Sequence, residues 1–178
     1  PVPPNESLLP INWHQIHDLL HQAVRPLVII GRGAFLAGTA REIQDWCEKN
    51  GLPYISSWSA MPHLDRAAPL YFGSQGVYGS RLANWMVQSA DRILVLGSRL
   101  DNRQRTGNPV AYAPFARLLV LDIDPEELGK YSNSSNYSVQ CADLAFWRSN
   151  SESFDELPDA WHFWRKSIEE RKLSTDSG

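Results

Sequence analysis

The sequence predicts an α/β domain, a parallel sheet with helices on both faces. Three observations carry that expectation. Short apolar runs recur at 27–30, 92–96 and 118–121, as expected of strands covered on both sides. Segments of helical spacing separate them, and parallel neighbours require such crossovers. Two of the runs then empty into loops rich in Gly, Arg and Asp, and in such a sheet ligands bind beyond the carboxyl ends of the strands.

The elements follow in order. A helix is expected from about 12 to 24, with Ile16, Leu19, Leu20 and Ala23 on one face and Pro26 ending it. Leu27-Val28-Ile29-Ile30 is the first strand. Ala40, Ile43, Trp46 and Cys47 mark the next helix, with Thr39 and Glu42 spaced as a capping box and Gly51 as the stop. Tyr54-Ile55-Ser56 is the second strand. Ser80 caps a helix holding Leu82, Ala83, Met86 and Val87, which delivers the chain to a strand at 92–96. The fourth strand is 117–122, and Ser138-Val139-Gln140-Cys141 is a weaker fifth. The loops at the carboxyl edge are then 31–34, 57–59, 73–76, 97–105, 122–124 and 142–143.

Composition sets broad bounds. At 178 residues, 43% of them hydrophobic, the chain is large enough to bury a core without staples. The two cysteines, Cys47 and Cys141, are too few for a disulfide framework or a metal site, which points to the cytoplasm. A formal net charge of -3 gives no reason to expect nucleic acid or an anionic membrane as partner. No apolar run approaches the roughly 18 residues of a membrane span. The Pro-rich stretch 1–10 and the polar end at 174–178 read as linkers, with 149–153 as a mobile run. The expected organisation is a linker arm at 1–10, a domain at 11–148, and a linker with a helix at 149–178.

Chemistry concentrates at the carboxyl edge. Gly97-Ser98-Arg99-Leu100-Asp101-Asn102-Arg103-Gln104 places two arginines after a buried strand, suited to an anionic ligand. Leu118 to Pro125 ends a second strand in Asp122 and Asp124. Together they suggest a nucleotide site. Gly31-Arg32-Gly33-Ala34 is a partial match to the dinucleotide fingerprint, but Leu36 holds its third glycine position and no acid ends the second strand. Plainer readings stand beside these. Gly31 and Gly33 serve a tight strand-to-helix turn, Asp122 or Asp124 caps the turn at 125–127, and Arg99 is a structural ion-pair partner. His14, His17 and His21 share a helical face at metal-binding spacing, yet no Cys, Asp or Glu cluster supports a closed site. Trp161, Trp164 and Ile168 repeat at helical spacing and read as a face that packs on an absent domain.

The series Arg25-Pro26-Leu27-Val28-Ile29-Ile30-Gly31-Arg32-Gly33-Ala34, then Gly97 to Arg103, Thr106-Gly107-Asn108, Phe115-Ala116 and Asp122 to Leu128, resembles the central domain of thiamine-diphosphate-dependent enzymes. The acetolactate synthase branch looks nearest, and the resemblance runs from about Ile11 to Asp143. It implies a Rossmann-like three-layer domain with a central parallel sheet of about six strands. It also implies a parent that decarboxylates or ligates 2-oxo acids with thiamine diphosphate and Mg2+ held by flanking N- and C-terminal domains, working as a homo-oligomer. The middle domain is then not catalytic, no Gly-Asp-Gly occurs in this chain, and no residue here is assigned to catalysis or to a metal.

Members of the family hold FAD, ADP or nothing in this domain, and all three stay open here, the last as an empty structural nucleotide fold. Carried over by motif, Gly31, Arg32 and Gly33 would line the ligand through backbone N–H groups. Gly73, Ser74, Gln75 and Gly76 would form the opposite wall. Gly97, Ser98, Arg99, Asp101 and Arg103 would approach the diphosphate and ribityl region. Asp122, Ile123, Asp124, Ala142 and Asp143 would meet the adenosine. Two departures leave alternatives open. An apparent insertion at Arg105 leaves either Arg103 or Arg105 facing inward, and Trp58 either stacks on a ring or fills the pocket. Two other readings share the topology: the FAD domain of an electron-transferring flavoprotein, and an NAD-binding module. An NAD-consuming deacylase of this kind would need His63 as its catalytic histidine.

Overall fold

The computed structural model describes residues 10–105, 108, 111–149 and 159–176. The linker arm, Thr106 and Gly107 of the quoted motif, and the run after Ser149 up to Pro158 lie outside the described residues.

Strand β1 (Pro26–Ile30) is buried throughout, and its side chains alternate between two apolar layers. Val28 and Ile30 join the layer of α1 (Trp13–His21) and α3 (Ala40–Lys49); Leu27 and Ile29 join that of α4 (Arg81–Ser89). β4 (Arg92–Leu96) and β5 (Arg117–Asp122) divide in the same way, with Leu94 and Leu96 opposed to Ile93 and Val95. This period of two, with both faces covered, is why all three read as continuous apolar runs.

With β2 (Tyr54–Ser56), β3 (Tyr71–Ser74) and β6 (Tyr137–Cys141), the sheet has six parallel strands in the order β3-β2-β1-β4-β5-β6. The architecture is the expected Rossmann-like three-layer domain. Strand order reverses between β1 and β4, which places a switch point where their following loops diverge.

Local signals mostly hold. Asn12 and Ser80 cap α1 and α4 through their side-chain oxygens. At Gly51 (φ +65°) the Gly51 and Leu52 N–H groups bond the carbonyls of Glu48 and Cys47, closing α3 with a Schellman motif. Three details are corrected.

Gly73 and Ser74, expected in the loop 73–76, end the edge strand β3 (71–74), which was not foreseen; its register shift against β2 and the left-handed Gly73 disguise it. The capping box at Thr39 does not form. Its N–H and hydroxyl both donate to Ala34 O, because the short helix α2 (Arg32–Leu36) ends there and leaves that carbonyl to be satisfied.

Finally, Trp161, Trp164 and Ile168 on α6 (Asp159–Asp176) do not await another domain. All three are buried in this domain's own core, where the indoles donate to Ala23 O (3.0 Å) and Pro26 O (2.9 Å) and Trp164 packs on Trp85.

Candidate functional site

The carboxyl ends of β1 and β4 meet so closely that glycine is the only residue that fits there. A Cβ on Gly31 would stand 2.2 Å from Gly97 O, and one on Gly33 2.8 Å from Gly97 Cα. Gly97 itself adopts φ +64°. The Gly31 and Gly33 N–H groups donate to Leu96 O and Gly97 O, both at 2.8 Å. These two donors, expected to face a ligand, are committed to joining β1 to β4. Arg32 lies between them, exposed and without an ion pair among the described residues.

From Gly97 the contacts spread to the 73–76 loop. Ser98 Oγ donates to Gln104 Oε1 at 2.7 Å, Gln75 Nε2 reaches the same oxygen at 3.3 Å, and buried Tyr112 donates to Gln75 Oε1 at 2.6 Å. Burial pushes the Tyr112 phenol far above its ordinary range, so it acts as a fixed donor. Val77 N–H bonds Arg103 O, and Gly76 packs so close to that carbonyl that a Cβ would stand 2.7 Å away. Asn84 holds Gly76 on both its N–H and its C=O. Ser74 and Gln75 are buried in this wall. The 73–76 and 97–105 loops are thus one stitched unit.

On the other flank, Arg99 is exposed, with its guanidinium 3.9 Å from Glu127, and its carbonyl accepts from Lys130 Nζ and Tyr131 OH. Asp124 caps α5 (Pro125–Gly129), accepting from Glu126 N (3.0 Å) and Glu127 N (3.4 Å), so the plainer reading of this residue is realised. Asp122 is half-buried and accepts from Asp124 N–H. Burial raises its pKa above the usual carboxylate range, more than the neighbouring Arg99 lowers it. Ala142 N–H bonds Asp122 O, which brings the β6 end alongside, and Asp143 receives Ala145 N–H.

Asp101 closes an exposed turn by accepting from Arg103 N and Gln104 N. Arg103 points to solvent. Arg105 turns inward instead: its Nε is shielded, and its charge acts on Tyr112, Tyr131 and Tyr137.

Around this rim stand exposed apolar groups: Leu36, Trp58, Val77, Tyr78 and Ile123. Trp58 does not fill a pocket. It is 58% exposed, its ring 6.3 Å from that of Tyr78, leaving it free to meet a planar ligand. His63 stacks face to face on Phe35 at 3.4 Å.

Sequence reasoning left Tyr112, Glu127 and Tyr131 out of the site. A tyrosine in an irregular loop carries no spacing signal, and Glu127 was legible only as part of a helix turn.

The donor set therefore suits a nucleotide in part. Arg32 and Arg99 offer exposed cations, Asp122 an acceptor, and Trp58 and Ile123 apolar surface, whereas the Gly31 and Gly33 N–H groups are already spent. Among the described residues no group of three or more His, Cys, Asp or Glu side chains converges. Nor is any described helix long and apolar enough to cross a membrane.

Comparison with known proteins agrees with this architecture. A probable acetolactate synthase 2, chloroplastic, of Oryza sativa subsp. japonica is 30% identical over 186 aligned residues, covering 100% of this chain and 27% of that protein. Acetolactate synthase 1, chloroplastic, of Zea mays is 33% identical over 144 residues, 81% of this chain and 21% of its own length. The acetolactate synthase isozyme 1 large subunit of Escherichia coli (strain K12) is 35% identical over 112 residues, 63% of this chain and 19% of that protein. This chain thus spans about a quarter of the length of these relatives or less. Residues 13–144 match the central domain of thiamine pyrophosphate enzymes, the family to which this chain belongs.

Proposed function

We propose that this chain is the non-catalytic middle domain of a thiamine-diphosphate-dependent 2-oxo acid decarboxylase or carboligase of the acetolactate synthase kind, and that its switch-point crevice holds FAD or ADP. The observation that carries the nucleotide part is that Arg32, Arg99 and Asp122 stand at or just after the carboxyl ends of the adjacent parallel strands β1, β4 and β5. Exposed guanidinium groups on two adjacent strand ends match a diphosphate. Asp122 offers its carboxylate to a ribose hydroxyl or adenine amine. Thiamine diphosphate and Mg2+, held by flanking domains of the same polypeptide, would supply the nucleophilic carbon that attacks the 2-oxo group. The residues of this chain position a nucleotide and link the flanking domains at 1–10 and 149–178. The working form is a homo-oligomer in the cytoplasm, and buried, unreactive Cys47 suits a reducing compartment.

The test is titration of the intact protein with FAD, and separately with ADP, followed by melting temperature and tryptophan fluorescence. Saturable stabilisation is expected, with Trp58 emission quenched by FAD and Arg99→Gln weakening affinity roughly tenfold, equivalent to ~1.4 kcal/mol. Ribose or adenine donors favour the ionised form of Asp122, so affinity rises with pH through the range in which that carboxyl titrates. A melting temperature indifferent to both nucleotides would leave the domain as a scaffold alone.

A further inference from the structure

Past the free edge of β3 lies a second concavity of about 500 Å3, bounded by the 3-10 helix Met61–His63, β3, the start of α4 and the last turns of α6. Among the described residues its lining includes three cations, Arg66, Arg81 and Lys172, and no acid. Among the described residues none of the three makes an ion pair. Three positive side chains around one hollow repel each other unless an anion joins them.

The floor is of a different character. Tyr71, Phe72 and Leu82 are buried beneath the cations, and Lys172 Nζ stands 5.9 Å from the Phe72 ring centroid. Gly73 (φ +93°) bends the chain at the rim, where a Cβ would come 3.3 Å from Ser80 Oγ. Of the residues assigned to the nucleotide crevice, only Gly73 borders this hollow.

We infer that this cleft binds a small organic anion, a phosphate or carboxylate group carrying an aromatic or aliphatic body. Guanidinium forks on Arg66 and Arg81 match the oxygens of such a group in pairs, and Lys172 adds a point charge. The apolar body lies on Phe72 and Leu82. The site is independent of the nucleotide crevice, because its cations come from the turn after the 3-10 helix, from α4 and from α6, and not from the β1 and β4 loops.

Calorimetric titration of the intact protein with phenyl phosphate, and with inorganic phosphate, tests this. Phenyl phosphate is expected to bind saturably, inorganic phosphate at least fivefold more weakly for want of a body, and both to weaken with added NaCl. Arg66→Gln and Arg81→Gln are each expected to weaken phenyl phosphate at least tenfold. Arg117→Gln, at the opposite edge of the sheet, leaves it unchanged. All three arginines are exposed, and melting curves of the variants confirm that each remains folded. FAD or ADP affinity is unaffected by Arg66→Gln, which separates this site from the crevice.

Absence of saturable binding, or binding indifferent to Arg66→Gln and Arg81→Gln, would overturn the inference. A wild type that binds no phenyl phosphate but loses thermal stability on Arg66→Gln would overturn it too, assigning these cations to an acidic contact within the polypeptide.

Discussion

Gly31 shows how a single residue is constrained by its neighbour across the sheet. Its φ of -97° is open to any residue, so the requirement is for space alone. Gly97 O, Gly97 C and Ser98 Cα all lie within 2.5 Å of where its Cβ would be, and each is backbone that cannot rotate away. Gly31→Ala must therefore push the β1 and β4 loops apart. An overpacking cost of about 1–3 kcal/mol is expected, read as a lowered denaturant midpoint at unchanged slope; an unchanged midpoint contradicts the contact. The glycines were legible in the sequence as a tight strand-to-helix turn or as backbone lining a ligand. What approaches them was not, since a glycine spacing serves a neighbouring strand as well as a phosphate. The same ambiguity covers Asp124, whose position before Pro125 suits a cap and an acceptor for ribose equally.

Among the elements, α6 shows where helical periodicity stops being informative. The spacing of Trp161, Trp164 and Ile168 identifies an apolar face but not its partner. In the fold Trp164 and Ile168 complete the layer begun by α4 while Trp161 joins that of α1 and α3, and both indole N–H groups donate to carbonyls at the entrance to β1. Trp164→Ala is expected to cost about 3–5 kcal/mol, with Trp85 fluorescence shifting to the red as it becomes wet. A change of a few tenths would mean the face is held elsewhere. β3 is the converse case. β1, β4 and β5 announce themselves because both faces are buried, whereas β3 is a four-residue edge strand ending in a left-handed glycine and a serine. Short edge strands carry too few alternating positions to be read from pattern.

At the scale of the whole molecule, six parallel strands direct all their following loops to one edge, and strand order reverses between β1 and β4 at its centre. The chain carries a formal net charge of -3, yet this edge exposes Arg32, Arg99 and Arg103 beside Trp58 and Ile123. An anion with a planar group is the complement of such a surface. The most direct measurement is amide hydrogen exchange on the intact protein with and without saturating FAD or ADP. Slowed exchange confined to 31–34, 57–59, 97–105 and 122–124, with 15–22 and 135–138 at the opposite edge unaltered, is the expected result. Protection at that opposite edge, or unchanged exchange at the carboxyl-end loops under saturating nucleotide, would contradict it.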